Sequence, residues 1–549
     1  MNVLSRLPIV WIEACKSQVL AKGFPFPRCS LQDLQQEELE KFTRRAFHLA
    51  QRWLQTGGAL CPRKETKFVV SPSAPISDIR FIEGFEERFL LTVSKGIWSV
   101  LTIWDISFAL GGITKKKVLD TSPRKCCEWS PKGGLFTGLA LNSDLQSDAK
   151  LAVSIAMDSG HQVQLMNISI DGQLIPICSI DIAMKPMTLE GDLLALSDDH
   201  AQTTIYNWKT GDYAVLKHLQ DQEGVWKQDH CIQVIFAHSS VLVVRARSIH
   251  LFPEPVLKPA KDDATVYLPI ARHSFGWIDG VSVVPPSSIR SEVRVMSDVL
   301  SDCALLNDTQ PASDIFTAIG GSNTLSEGLP PPLTILVRSQ SDNPWTSDEH
   351  SLDLYALMPN PDTSRDVTQS DPPFLDNLAS PVAADTPVPT LSDTLPEPRR
   401  APYLFPPLLT SRISSIRGSL RCTDVVLGPC RTAIWIRPHD RSLAGLMGGL
   451  QNGEQYQLPS YLFEQTERSQ EGLVCAVFPG PLCQSHMRKS GAHESSRGTE
   501  NTSRHSKAEG DVRMMWMNEL NNWTTLDYYE AMGRIALGSG DGYVTLLEL

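Results

Sequence analysis

The chain has 549 residues, 42% hydrophobic and 20% charged, with 38 prolines and 35 glycines, which is the balance of a globular protein with many turns and some unpacked linker. A formal charge of -12 repels polyphosphates at long range, and no basic stripe with interleaved aromatics offsets it, so nucleic acid is excluded as an expected partner. The apolar stretch at residues 8–20 is broken by Glu13, Lys16, Ser17 and Gln18, so neither a signal peptide nor a membrane span is expected.

Residues 1–60 read as a helical module. A short helix is expected from Pro8, a favoured first-turn residue, through Ile9, Ile12, Val19 and Leu20, with Gly23 and Pro25 as its stop. A longer amphipathic helix is expected from Ser30, with Asp33 as the carboxylate of a capping box. Leu34, Leu39, Phe42, Ala46, Ala50 and Trp53 then recur at short helical steps until Gly57-Gly58.

From about Thr66 the texture changes to short strands separated by Gly, Asp, Ser or Pro turns. The clearest are "RFLLTVSKG", "SVLTIWDIS", "KLAVSIAMDSGHQVQLMNISIDG", "DLLALSDDHAQTTIYNWKTGDYAVL", "SVLVVRARSIHLFPEP", "LTILVRSQ" and "RTAIWIRPHD". Several share one grammar: apolar strand, small polar turn, second strand, then a turn with Gly or Asp. Strand-only repeats of this length predict a mainly β fold, a β-propeller over residues 62–549 of roughly six to eight blades with seven expected; an irregular pair of β-sandwiches is the alternative. Residues about 298–330, 359–400 and 484–511 are polar or proline-rich and are expected to be disordered insertions. Ser380-Pro381 and Thr386-Pro387 in the second suit proline-directed kinases.

The chain closes on "GRIALGSGDGYVTLLEL". Gly538, Gly540 and Gly542 are spaced like the start of a phosphate cradle, which requires a following helix. The residues that follow read as a strand, with β-branched Val544 and Thr545. A hairpin turn is therefore expected, with Gly at positive φ and Asp541 bonding its own backbone. The last strand needs a partner, and "KFVVSP", residues 67–72, is the expected one.

Residues 194–216, with Asp199, Trp208 and Gly211, resemble a WD-repeat blade, and Trp104-Asp105 and Gly160-His161 resemble degenerate versions of its signatures. With Gly540 and Gly542 of the closing hairpin, these are the blade landmarks. The order of elements, helices, a short strand, a WD-like blade and the closing hairpin, resembles fungal F-box proteins with a carboxy-terminal propeller. An F-box begins on a Leu-Pro pair and runs through several helices. Here Leu7-Pro8 has too little helix before Ser30, so the region matches only the tail of a truncated or missing F-box. The resemblance implies a substrate-recognition subunit of a cullin–RING ubiquitin ligase, with Leu39, Phe42 and Trp53 on the helix facing the adaptor and the propeller rim binding a protein target.

Local signatures of catalysis are missing: there is no G-x-S-x-G, no H-E-x-x-H and no Walker A sequence. Cys475, Cys483, His486 and His493 match no compact zinc module. Asp198-Asp199-His200 reads as a polar turn, and most of Trp104, Trp208, Trp277, Trp435 and Trp523 as core. The twelve cysteines include no CxxC, and the adjacent Cys126-Cys127 pair cannot close without strain; free thiols and a cytoplasmic or nuclear location are expected. No catalytic residue, metal or cofactor is expected, and no membrane partner. The sequence reads as a non-enzymatic interaction scaffold; the alternatives are a propeller-type hydrolase with its site at the channel mouth and a structural scaffold without a ligase link.

Overall fold

The computed structural model describes residues 7–55, 58–85, 87–107, 122–198, 200, 202–218, 229–259, 265–284, 330–340, 350–364, 401–415, 424–437, 470–483 and 512–549. Two helices, α1 (Pro8–Cys15) and α2 (Gln36–Leu54), precede the strands β1 to β29. The strands form seven sheets among the described residues, each built on an antiparallel meander of consecutive strands. Blade 1 is β2 (Ile76–Phe81), β3 (Phe89–Lys95), β4 (Ser99–Asp105) and β5 (Arg124–Trp129), and blade 2 is β6 (Leu135–Leu141), β7 (Leu151–Met157), β8 (Gly160–Ile168) and β9 (Leu174–Ile180). Blade 3 is β10 (Lys185–Glu190), β11 (Leu193–Ser197), β12 (Gln202–Asn207) and β13 (Tyr213–Lys217), with the short β17 (Val266–Tyr267) as a parallel fifth strand. Blade 4 is β14 (Cys231–Phe236), β15 (Ser240–Arg245), β16 (Ser248–Pro253) and β18 (Ala271–Ser274), and blade 5 is β19 (Trp277–Val284), β20 (Leu333–Gln340), β21 (His350–Leu357) and β22 (Leu408–Ser415). Blade 6 is β23 (Val425–Leu427), β24 (Thr432–Arg437), β25 (Glu471–Val477) and β26 (Arg513–Asn518). This is a seven-bladed β-propeller.

Blade 7 is the closing blade: β27 (Trp523–Tyr529), β28 (Arg534–Ser539) and β29 (Tyr543–Glu548) from the end of the chain, completed by β1 (Lys64–Val69). β1 runs antiparallel to β29, from Lys64 opposite Glu548 to Val69 opposite Tyr543. The expected pairing partner is thus found, three residues earlier than residues 67–72. The GSGDG stretch is the β28–β29 hairpin. Gly542 has φ 81°, and its carbonyl accepts from Val70 and Ser71 N–H at 2.9 and 3.3 Å. A Cβ on Gly542 would lie 1.7 Å from the Ser71 carbonyl oxygen, so glycine is required by both conformation and space. Asp541 accepts from the Asn522 side chain, tying this turn to the β26–β27 connection.

The first strand of each blade lies at its sheet's inner edge, facing the next blade, and its spare backbone groups need partners. Side chains supply them at every junction. Ser99 Oγ accepts from Phe136 N–H, and Asn142 bonds both backbone groups of Gly191. Thr188 donates to the Val234 carbonyl, Gln233 accepts from Val283 N–H, and Ser282 accepts from Leu427 N–H. Asp424 accepts from Leu526 N–H and Asp527 from Phe81 N–H, at 2.8 and 2.7 Å. Asp527 closes the circle from blade 7 to blade 1.

The helices share a core with blades 6 and 7. Leu39, Ala46, Leu49, Ala50 and Trp53 of α2 are buried together with Ile434, Leu473, Cys475, Leu526 and Leu537. α2 starts at Gln36, later than Ser30, because Ser30 is used in a local turn, its Oγ accepting from Gln32 N–H. The capping box is Gln35 with Glu38. At the other end Arg513 donates to the carbonyls of Arg52, Trp53 and Gln55, which would otherwise be open. α1 runs on into a π-turn, Lys16–Leu20, and the chain reverses at Gly23, φ 65°.

Of the three expected insertions, residues 298–329, 365–400 and 484–511 lie outside the described residues, as do both Ser/Thr-Pro pairs. Residues 359–364 are ordered: Pro359 bridges to Tyr403, and Pro361–Ser364 forms a 3-10 turn.

Two substitutions test the closure. Gly542→Ala should lower the free energy of unfolding by about 3 kcal/mol or more, as strained left-handed backbone meets a direct clash. Asp527→Ala should cost about 2 kcal/mol by orphaning the Phe81 N–H, and Asp527→Asn clearly less; denaturant midpoints of the full chain measure both.

Candidate functional site

Because strands alternate in direction, the loops divide between two faces. Turns between the second and third strands share a face with the links between blades, and the other turns lie opposite. The backbone confirms the grouping: Ser99, just after the second turn of blade 1, donates to Gly134 in the link to blade 2 at 3.0 Å.

The described blade landmarks lie in strands and turns of the blades. Trp104 Nε1 donates to Thr92 Oγ1 at 3.0 Å, and its ring meets Phe68 at 5.0 Å. Burial works against an ionised Asp105, but bonds from Ser107 and Arg88 outweigh it and hold the carboxyl below its ordinary range. Arg88 also reaches the Ile170 carbonyl in blade 2 at 2.8 Å. Gly160 opens β8 at φ 134° beside an exposed His161. Trp208 Nε1 donates to the Gly191 carbonyl, and Gly211, φ 81°, turns the chain where Asn207 Oδ1 accepts from the amides of Lys209 and Thr210. Gly540 N–H donates to the Asn522 carbonyl. Asp199 lies outside the described residues, while Asp198 accepts from the amides of His200 and Gln202, as a polar turn requires. Trp104, Trp435 and Trp523 are buried and Trp208 is half-buried; the side chain of Trp277 lies outside the described residues.

The helix residues need a correction. Leu39 and Trp53 are 1% and 2% exposed, because the apolar stripe of α2 covers blades 6 and 7; neither is open to an adaptor. Phe42 is half-buried, edge-on to Phe26 at 6.3 Å. Among the described residues of this region, the outward large apolar ones are instead Leu7, Ile9, Val10 and Phe47. Periodicity identified the stripe but not what lies against it.

Among the described residues, the imidazole shifted furthest is sealed inside blade 4. His250 is 1% exposed, shares a bond of 2.7 Å with Ser248 Oγ, and meets the His218 ring at 4.0 Å. Burial, then His218, Arg245 and Arg272, push its pKa down to about 3. Its wall position gives it a structural role. Among the described residues no group of three or more His, Cys, Asp or Glu could hold a metal ion. Cys475 is buried beneath the helices, and His486 and His493 lie outside the described residues. The described cysteines, Cys126 and Cys127 included, are free thiols, and no described helix is long and apolar enough to cross a membrane.

What stands out on the surface is apolar. On the turn after β3, Ile97 is 90% exposed and Trp98 45%. Leu135, 46% exposed, sits beside them, since its neighbours Gly134 and Phe136 are both bonded to Ser99. Trp98 was among the tryptophans not singled out in the sequence; its place in a two-strand turn after Gly96, not within a strand, was the available signal. An exposed Ile-Trp pair with a third apolar residue alongside is what a protein contact uses.

His250 makes a pH prediction. A base with a depressed folded pKa binds its proton on unfolding, so its stabilising effect is complete above about pH 6.5 and is lost as pH falls toward about 3. The stability gap between the native chain and His250→Leu should shrink by about 1.4 kcal/mol per pH unit below pH 6. A gap constant from pH 7 to pH 5 would contradict this.

No protein-family model matches the chain, and no curated protein does. Solved structures similar to it include a chain in the humanized mutant of the Chaetomium thermophilum Polycomb Repressive Complex 2 bound to the inhibitor GSK126, at 12% identity over 89% of this chain and 97% of that one, TM-score 0.42. The Cps50 (Swd1) β-propeller domain of Myceliophteria thermophila is 10% identical over 88% and 100%, TM-score 0.42. The Neurospora crassa Pan2 WD40 domain is 8% identical over 90% and 97%, TM-score 0.38. Likeness this low decides nothing about function, and the seven-bladed architecture rests on the sheet order of the chain itself.

Proposed function

We propose that the chain is a non-enzymatic platform that binds another protein through the face bearing Ile97, Trp98 and Leu135. The observation that carries this is the 90% exposure of Ile97 beside a half-exposed Trp98, apolar surface that gains from being covered. The rigid ring supplies a preorganised base for such a contact. A hydrolase is less well supported, since the strongly shifted His250 is enclosed within a blade.

In the finer version of this reading, residues 1–60 act as a docking module and residues 62–549 as the capture domain of an intracellular ubiquitin ligase, cytoplasmic or nuclear. The outward Leu7, Ile9, Val10 and Phe47 support it as the surface that would meet the adaptor. The negative charge favours protein partners over nucleic acid or anionic membrane.

The test is quantitative affinity purification of the full chain, native against Ile97→Asp/Trp98→Ala and against Ile9→Asp/Val10→Asp. The first variant should lose a defined set of partners at least tenfold while melting as the native chain does. The second should lose a ligase adaptor and keep that set. An unchanged set for the first variant overturns the platform reading; absence of any adaptor from the native chain overturns the ligase version alone.

A further inference from the structure

On the face opposite Ile97 and Trp98, a cleft of about 600 Å³ opens between blades 3 and 4. Leu193, Phe236 and Leu257 give it apolar walls, and Asp144, Glu190 and Glu254 stand at its edge. One wall is the β14–β15 turn, where His238 and Ser239 both hold positive φ, 37° and 54°, in a two-residue hairpin closed by reciprocal bonds between Ala237 and Ser240. Beyond Leu257 the apolar surface continues: Val256, Val266 and Leu268 are each more than half exposed along the outer edge of blade 3.

The three carboxylates come from three blades. Asp144 follows β6, Glu190 ends β10, and Glu254 follows β16. None makes an ion pair with a described residue: Arg28 reaches Glu190, and Asp144 reaches Lys150, only through their fields. Glu190 is exposed as a residue, but its carboxyl is partly desolvated at the cleft, and this, with Asp144 adding to it, holds the carboxyl above its ordinary range, so an added cation would be favoured here. Apolar depth beneath an acidic edge fits a side chain whose stem is apolar and whose head is cationic, next to a purely apolar neighbour.

We propose that this cleft takes a linear peptide from a partner protein, setting an apolar side chain between Leu193, Phe236 and Leu257 and a lysine or arginine against Glu190, Glu254 and Asp144. It is a second contact surface, separate from the Ile97 face, and does not depend on it.

The full chain would be panned against a phage-displayed random octapeptide library, and a dye-labelled consensus peptide titrated by fluorescence polarisation. The recovered peptides should pair a basic residue with an apolar one. Glu190→Lys/Glu254→Lys should weaken the consensus peptide by roughly tenfold or more, Glu190→Gln/Glu254→Gln by less, and Leu257→Ser should also weaken it. Ile97→Asp/Trp98→Ala should leave binding unchanged. Glu190 and Glu254 are exposed, so their variants should melt as the native chain does. Recovery of no peptide, of peptides without basic residues, or of a consensus that binds the charge-reversed variant equally would overturn the proposal.

Discussion

Every blade of this ring has the same unfinished edge. A short twisted sheet stacked against its neighbours leaves the backbone of its first strand facing the next blade with no strand to pair, and such groups cannot be buried without partners. The chain meets this with one side chain per junction: Ser99, Asn142, Thr188, Gln233, Ser282, Asp424 and Asp527 each bond the backbone of the following blade. The apolar clusters between blades hold the sheets together, but apolar contact is non-directional. The polar pins set how far each blade is turned and how closely it approaches.

The helices complete the same arrangement on one side. Their stripe lies over blades 6 and 7, with Leu49 packed closely on Gly533, Arg45 bonded to the Met532 carbonyl and to Glu548, and Lys41 paired with Glu87 of blade 1. Beneath them Glu530 is buried between the same two blades, accepting from Cys430 N–H and Thr432 N–H, while Tyr528 bonds Thr432. One sector of that face is therefore occupied by the chain's own N-terminal part. Among the described residues, Ile97 and Trp98 on the opposite face and the cleft between blades 3 and 4 stay open.

The strands legible in the sequence were those buried on both faces. "RFLLTVSKG" and "SVLTIWDIS" are β3 and β4; the other apolar runs fall largely on the second and third strands of their blades, β7, β8, β11, β12, β15, β16, β20 and β24. Most innermost strands gave no such run because they or the residues next to them carry the pins, Ser99 of β4 being the exception: a strand such as β27, with Thr524, Asp527 and two tyrosines, mixes polar and apolar residues for reasons that lie in the adjacent blade. For the same reason α2 was readable as amphipathic, while the inward destination of Leu39 and Trp53 was not. The Ile97 face was obscured differently, since two apolar residues in a turn look like a strand that continues. The cleft was unreadable, for its carboxylates are brought together from three blades by the ring alone.

The pairing of β1 with β29 joins residues separated by almost the whole described chain. Contacts so distant in sequence cost loop-closure entropy before they return any stabilisation. During synthesis, β1 and the apolar stripe of α2 emerge early and stay without their partners until β26 to β29 have been made. For that interval the nascent chain exposes an open strand and a tryptophan-bearing helix face, surfaces prone to aggregation. The join that fastens the mature ring thus makes its biogenesis the period in which its apolar surface is most open.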